Sequence, residues 1–519
     1  MTFDKRSLFI PQLLTLSALL LLTLLDFDPR VIVALLCTGL VGLWFAAAFV
    51  EPFSLLLSTL ALAGTTSVLS NLYIDGVPFS VNGLLTAGLG AASGLAVVVH
   101  YRHQFRTVSQ IRRWLLESAP ISLLLLWAMI RTPGAPSLSN AISDLLIWGA
   151  LLLVYVLARA YWFENPSMLA AGERAFLYVA FLPLALIVLD ALLGNVFFNR
   201  ANQALTPGLH TSGGPRSLPA FFGLALVPLL AALRLEHVRQ HINRRLLAGL
   251  IVVLAMWVYF SLGRTALLGA AGVVFPMMLL SPRSIWKAVV IVVVGVALTA
   301  VLIQTPLYPR PKIGSLGDVI SVENNDAGVE GESGESATQS ESRPRVSVNT
   351  GLLRGITFGR TDVWEHLVEQ TVNEKPISGF GTGASRDAVK DVIPSWDNPH
   401  NDFVRVFFDL GAIGLVILVA TWTTRLLVCW WNWIQRAPNT PAAVYNFAAL
   451  TAGGYVLLNF LTDNFMVYFF IMGPFTLLLA ISDAATVHAE VHEADPSPVA
   501  EARSVPAVLQ VQPPMEKDY

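Results

Sequence analysis

His400 is the residue of this sequence best suited to proton transfer. It lies in the stretch 398–402, Asn-Pro-His-Asn-Asp, where a long polar segment ends and an apolar one begins. Histidine exchanges a proton near neutral pH and is the side chain most often used as a general base. Asn401 and Asp402 are of the types that cap the first turn of a helix. The pattern indicates a titratable group fixed at the start of a helix, whereas a lone loop histidine is more often an ordinary surface residue.

The helix predicted after His400 carries two further features. Arg405 and Asp409 are four residues apart, a spacing that predicts an ion pair within the helix. Gly411 and Gly414 have no side chain and therefore permit close packing of the backbone. We interpret these four residues as supports for His400.

Three arginines beside glycine-containing turns are candidates for binding an anion. Arg216 follows Gly-Gly-Pro, Arg264 stands in Ser-Leu-Gly-Arg-Thr between two apolar segments, and Arg360 follows a glycine. A guanidinium binds phosphate oxygens through paired hydrogen bonds, so three on one membrane face would suit a lipid diphosphate. The alternative is that each is a solvated loop residue or an interfacial arginine whose charged end reaches water.

Two acidic features could be taken for metal sites. Asp26 and Asp28 form an Asp-x-Asp pattern, which binds divalent cations in some membrane enzymes but is also typical of a polar turn that ends a helix. The acidic segment 318–341 does not have the spacing of an EF-hand loop. We predict no metal site.

The composition requires a membrane as solvent. Of 519 residues, 55% are hydrophobic and 13% are charged, with a mean hydropathy of +0.62. A soluble domain carries about 25% charged residues. The net charge of −2 gives no electrostatic reason to expect a nucleic-acid partner. Cys37 and Cys429 stand alone, so neither a disulfide framework nor a thiolate metal site is predicted.

Fourteen apolar segments are candidates for crossing a bilayer, which takes about 20 residues in a helix. They are residues 8–25, 31–50, 53–72, 81–99, 114–130, 141–158, 175–194, 218–233, 246–263, 265–280, 288–305, 403–424, 444–461 and 465–482. Several are short, so twelve is the alternative number. The sequence predicts an all-α polytopic membrane protein.

The distribution of basic residues predicts an orientation. With a cytoplasmic N-terminus, sixteen Lys and Arg residues fall in cytoplasmic short loops, Arg425 among them, and five fall in the opposite ones. Because basic residues favour cytoplasmic loops, both termini are predicted to be cytoplasmic. The five exceptions are Arg30, Arg131, Arg200, Arg216 and Arg264.

One long polar segment divides the chain. Residues 1–305 and 403–482 are assigned to transmembrane helices, 306–402 to a large periplasmic loop and 483–519 to a disordered cytoplasmic tail. Within the loop, residues 318–341 are predicted to be disordered because they lack the apolar surface that offsets ordering entropy. Residues 359–402 are predicted to form a small folded helical cap.

The cap is predicted from helical spacing and turn residues. A helix over 361–373 has Thr361 or Asp362 as its N-cap and ends at Lys375-Pro376. A glycine-rich turn and a short helix over 384–392 follow it. The apolar positions of the first helix are Trp364, Leu367, Val368 and Val372, and the turn contains Gly379, Gly381 and Gly383.

These residues together resemble a known family. His400-Asn401, nine residues, Gly411, two residues and Gly414 look like the signature of bacterial O-antigen ligases. The run from Arg360 to the glycine-rich turn is similar to the large-loop pattern of the same superfamily, which includes O-antigen and exopolysaccharide polymerases. The specific likeness covers roughly residues 211–420.

The likeness extends to the other arginines and has departures. The turn at residues 261–264 resembles the family's Ser-Arg-Gly-type turn, and Arg216 resembles its arginine ahead of a pore-side helix. The family often has leucine four residues after the loop arginine, where this chain has Trp364, and the acidic insert 318–341 is unusual. Some polymerases carry an arginine and a glycine separated by ten residues, a pattern that no arginine here begins, which favours a ligase.

The resemblance implies a GT-C-like bundle of about 12–14 transmembrane helices in the bacterial inner membrane. It implies a metal-independent, inverting glycosyltransferase with no cofactor, whose donor is a glycan on undecaprenyl diphosphate. The acceptor would be a sugar hydroxyl, on lipid A-core for a ligase or on another glycan repeat for a polymerase. His400 would be the general base, with the diphosphate held by Arg216, Arg264 and Arg360.

Two other functions are weighed against transfer. A lipid-linked glycan flippase would be expected to have internal repeats and polar sites at mid-membrane depth. In this sequence the polar groups are predicted to lie on one membrane face beneath one large loop. A structural subunit that acts with other polysaccharide-assembly proteins is the weaker alternative. Membrane lipids surround the protein in every case.

Overall fold

The structure is a computed structural model and is all-helical over the residues it describes. These are residues 9–24, 30–69, 81–168, 172, 175–176, 217–235, 243–260, 264–305, 360–393, 396 and 398–494. Helices suit a membrane because they satisfy every backbone hydrogen bond within the segment. The prediction of an all-α polytopic membrane protein is confirmed.

Sixteen α-helices form the described part of the chain. The first eight are α1 (Phe9–Leu24), α2 (Arg30–Val50), α3 (Pro52–Leu69), α4 (Val81–Ala96), α5 (Val108–Arg131), α6 (Leu138–Glu164), α7 (Ser217–Ala232) and α8 (Arg244–Phe260). The others are α9 (Arg264–Gly269), α10 (Phe275–Leu280), α11 (Ile285–Gln304), α12 (Arg360–Glu374), α13 (Ser385–Lys390), α14 (Asp402–Gln435), α15 (Pro441–Phe460) and α16 (Phe469–Ala494). A π-helical turn, Ala270–Val274, joins α9 to α10.

The helices differ strongly in how far they are enclosed. Among the described residues, eight helical spans are long and apolar enough to cross a membrane. In the most apolar stretch of α16, 94% of the residues are buried, and in that of α15, 72% are buried. In that of α11 only 11% are buried. Thus α15 and α16 lie in the core of the bundle, and α11 lies at its edge with its apolar side chains facing outward.

Thirteen of the fourteen predicted segments overlap these helices. The remaining segment, 175–194, falls almost entirely outside the described residues, as do Asp26, Asp28, Arg216 and the acidic insert 318–341. The division into domains stays a prediction.

The predicted start of the disordered tail at residue 483 is wrong. Helix α16 continues to Ala494, and Asp483 is buried against Arg425 of α14 and the Tyr155 hydroxyl, which donates to it over 2.6 Å. The same pair corrects the assignment of Arg425 to a loop, because α14 runs on to Gln435. Two opposite charges that pair inside the bundle lower the cost of burial, so the charges did not mark the ends of the helices.

Candidate active site

Residues 360–393, which we call the cap, have their own small apolar core. Val363 and Leu367 of α12 pack with Ala384, Val389 and Phe408. Helix α12 starts at Arg360, so Thr361 and Asp362 lie in its first turn and are not its N-cap. Val368 and Val372, predicted on the apolar face, are exposed. The buried face of α12 is therefore shifted by one residue towards the N-terminus relative to the predicted face, and it is the face that contacts α14.

Helix α14, which follows His400, is broken at Gly411. Gly411 has φ 69° and ψ −169°, a conformation nearly restricted to glycine. The backbone groups left without helical partners bond to the cap instead: Phe380 N–H donates to the Phe408 carbonyl, Gly381 N–H to that of Asp409, and Ala412 N–H to that of Pro376, all over 2.8–2.9 Å. Irregular backbone inside a membrane protein requires such partners.

The glycines at this break are required by contact between backbones. A Cβ on Gly379 would lie 2.5 Å from the Asp409 carbonyl oxygen, and a Cβ on Gly411 would clash with the carbonyl of Ile377. Gly411 thus makes the close backbone contact that the sequence predicted. At Gly414 the nearest neighbour is the side chain of Leu410 in the same helix.

The substitution Gly411→Ala is expected to lower the thermal unfolding midpoint of the detergent-purified protein by several degrees. It would place an L-residue in a region of backbone conformation that costs about 1–3 kcal/mol, and it would push the Ile377 peptide away. Gly249→Ala is the matched control, since nothing lies within 4 Å of a Cβ there. Equal midpoints for the two variants would contradict the proposed contact.

An ion cluster joins the cap to the transmembrane helices. The predicted pair is present, with Arg405 Nε 3.7 Å from Asp409 Oδ2, but Arg405 also bonds to Asp144 of α6. Arg386 of the cap bonds to the other oxygen of Asp144. Asp409 accepts from the backbone N–H of Ser385 over 2.7 Å. Asp144 is not among the residues predicted from the sequence, although a lone carboxylate inside an apolar segment is a signal of function or pairing.

The His400 ring is oriented by a carboxylate that was not predicted from the sequence either. Its Nδ1 lies 3.1 Å from Oδ1 of Asp463 and 3.3 Å from Nδ2 of Asn464. When Nδ1 carries the proton, it donates to Asp463 and leaves the lone pair on Nε2. The side chain is 20% exposed, and no described residue bonds to Nε2. The arrangement is that of a base whose tautomer is fixed by a carboxylate.

The backbone around His400 is fixed by three further bonds. His400 itself has φ 54°, which is uncommon for a residue other than glycine. The Trp364 indole N–H donates to the Pro399 carbonyl over 2.7 Å, one peptide before His400. Asn401 caps α14, as predicted, because its Oδ1 accepts from the N–H groups of Phe403 and Val404. Trp364 therefore helps to position His400.

Residues 461–464 form a turn that accepts hydrogen bonds from both sides of the site. The Asn401 side-chain amide donates to the Leu461 carbonyl over 3.1 Å, and Arg360 donates to the carbonyl of Thr462. Asp402 does not act as a cap; it lies in the first turn of α14 and accepts from Met466 N–H over 3.0 Å. These bonds hold Asp463 opposite His400.

The three predicted arginines have different positions. Arg360 is buried, and its bond to Thr462 places it one residue from Asp463. Arg264 begins α9, but its side chain, like all of Arg216, lies outside the described residues. The diphosphate site predicted from these three residues stays a prediction.

Residues 249–419 match a protein family described as O-Antigen ligase. The matched region contains Arg264, Arg360, His400 and the break at Gly411, whereas Asp144 and Asp463 lie outside it. No curated protein matches the chain. The family match spans 171 of the 519 residues, and over that region it confirms the resemblance found in the sequence.

Proposed function

From the match to O-antigen ligases, we propose that this protein transfers a glycan from undecaprenyl diphosphate to a sugar hydroxyl of lipid A-core. Transfer takes place at the periplasmic face of the bacterial inner membrane, with both chain termini in the cytoplasm. The observation that carries the proposal is the His400–Asp463 pair, which leaves an accessible Nε2 beneath a folded cap.

In the proposed reaction, Nε2 of His400 takes the proton of the acceptor hydroxyl. The hydroxyl oxygen attacks the anomeric carbon of the donor sugar while the bond from that carbon to the phosphate oxygen breaks. One displacement inverts the anomeric configuration, and undecaprenyl diphosphate leaves with the electron pair. Asp463 stabilises the imidazolium that forms. A positioned base of this kind contributes about 10²–10⁴-fold to the rate.

The developing charge of the leaving group requires cationic partners. We assign this role to Arg216, Arg264 and Arg360, which makes the reaction metal-independent and cofactor-free. Arg360 would combine two roles, since it also donates to the Thr462 carbonyl beside Asp463. Of the three, Arg264 is tested here because it lies in the predicted turn between two apolar segments.

Arg264→Ala is expected to weaken donor binding as well as turnover. Arg264→Lys should restore only part of the binding, because an ammonium keeps the charge and loses the paired hydrogen bonds. The measurement is equilibrium binding of the lipid-linked donor to each purified variant. Lys287→Ala, on the opposite face in the predicted orientation, is the control. Unchanged donor affinity in Arg264→Ala would assign this arginine to the membrane interface alone.

Transfer by the purified protein in liposomes tests the function itself. A lipid-linked glycan and lipid A-core are supplied, and the product is followed on gels. Formation of glycan-bearing lipid A-core supports the ligase, and elongation of the donor glycan instead supports a polymerase, which shares the family pattern. Movement of the donor between leaflets without transfer would contradict both functions and support a flippase.

A further inference from the structure

We propose that Trp396 is the surface on which the acceptor sugar ring lies while His400 takes the proton from its hydroxyl. The inference rests on the proposed function and adds the residue that recognises the acceptor. It concerns binding of the sugar and leaves the general base unchanged.

The tryptophan stands directly beside the base. The ring centroids of Trp396 and His400 are 5.3 Å apart, and their planes are almost perpendicular, at 89°. Asp463 and Asn464 occupy the Nδ1 side of the histidine. An acceptor must therefore approach from the remaining, accessible edge of the ring.

Trp396 is anchored without being enclosed. Its backbone N–H donates to the Ile393 carbonyl over 3.0 Å, and its side chain packs against the apolar core of the cap. The residue as a whole is only partly buried. An aromatic ring held rigidly by one side and open on another binds a ligand with little loss of conformational entropy.

The indole N–H of Trp396 differs from those of neighbouring tryptophans. That of Trp127 donates to the Leu410 carbonyl over 2.9 Å, and that of Trp364 donates to the Pro399 carbonyl. The indole N–H of Trp396 bonds to no described residue, and it is not sealed from solvent as the indole N–H of Trp162 is. A donor left accessible beside a general base is available to a sugar hydroxyl.

The required distances agree with this role. A hydroxyl within reach of Nε2 lies about 2.6–3.2 Å from it, and the sugar ring begins one bond further on. The Trp396 ring centroid is 5.3 Å from that of His400, a separation that one sugar ring can span. Sugars present an apolar C–H face together with hydroxyl groups, which matches an indole with an apolar face and one polar end.

Steady-state kinetics separate acceptor recognition from catalysis. With lipid A-core as acceptor and an undecaprenyl-diphosphate-linked glycan as donor, Trp396→Ala is expected to raise the acceptor KM about tenfold and leave the donor KM unchanged. Trp396→Phe keeps an aromatic face and should recover most of the loss. Trp286→Ala, at a 76% exposed position on α11, is the matched control.

Each other result has a definite meaning. An unchanged acceptor KM in Trp396→Ala, an equal rise in the donor KM, or a fall in kcat alone would overturn the inference. If Trp396→Ala does not insert, Trp396→Leu replaces it, and a KM raised in Leu but not in Phe supports the inference, while equal values overturn it. A wild-type protein that transfers nothing would instead reject the proposed function.

Discussion

His400→Ala is expected to lower the rate of glycan transfer by about 10²–10⁴-fold while donor binding is retained. The reason is geometric: Nε2 is the accessible nitrogen of a ring whose other nitrogen is bonded to Asp463, and the proposed diphosphate partners are different residues. Transfer rate at saturating donor and donor affinity must be measured on the same purified protein. The two measurements distinguish a lost base from a lost binding site.

His366→Ala is the matched control for this experiment. His366 lies on α12 of the cap with its side chain exposed, so its removal should not change the rate. A fully active His400→Ala protein would contradict the mechanism. A variant that binds donor poorly but turns over normally at saturation would assign His400 to binding.

Asp463 separates the role of the base from that of its partner. Asp463→Asn should lower the rate less than His400→Ala does, because the imidazole remains but loses the carboxylate that fixes its tautomer and stabilises its charged form. The measurement is the transfer rate of the two purified variants side by side, and an Asp463→Asn protein as active as the unaltered protein would contradict this role.

The local parts of the site could be predicted from sequence, and the distant ones could not. His400, Asn401 and Gly411 are within twelve residues, so capping and backbone rules apply directly. Asp463 follows the end of a helix beside Asn464, where polar residues are typical of an ordinary turn. Nothing in the spacing of the residues relates it to His400; only the packing of α15 against α14 brings the two together.

The ends of the helices show a second limit. Charged residues mark membrane boundaries in the sequence, but this rule fails where two charges pair inside the bundle, as Arg425 and Asp483 do. Gly411 is predicted from the sequence to permit close packing of the backbone, but the segment that it contacts, around Ile377, is known only from the structure. The charge pair and the glycine contact both join residues that are far apart in the sequence. The residue spacing in a single sequence does not predict which distant residues meet.

Asp144→Ala is expected to have the largest effect on stability of the substitutions considered. It would leave Arg405, which is 1% exposed, with only the longer contact to Asp409, and it would release Arg386 of the cap. Removing one partner of a buried pair costs about 3–5 kcal/mol because the other charge stays buried. The measurement is thermal unfolding of the purified protein, with the exposed Asp391→Ala as control.

A double-mutant cycle then assigns the loss to the cap. Arg386 is partly exposed, so Arg386→Gln alone should destabilise the protein only moderately. If Asp144 holds the cap through Arg386, the effects of Asp144→Asn and Arg386→Gln will not add, because the second change removes an interaction already lost. Strict additivity would mean that Asp144 acts through Arg405 alone. In that case the cap would be held by the backbone hydrogen bonds at Gly411, and Asp144 would serve only to neutralise the charge of Arg405 in α14.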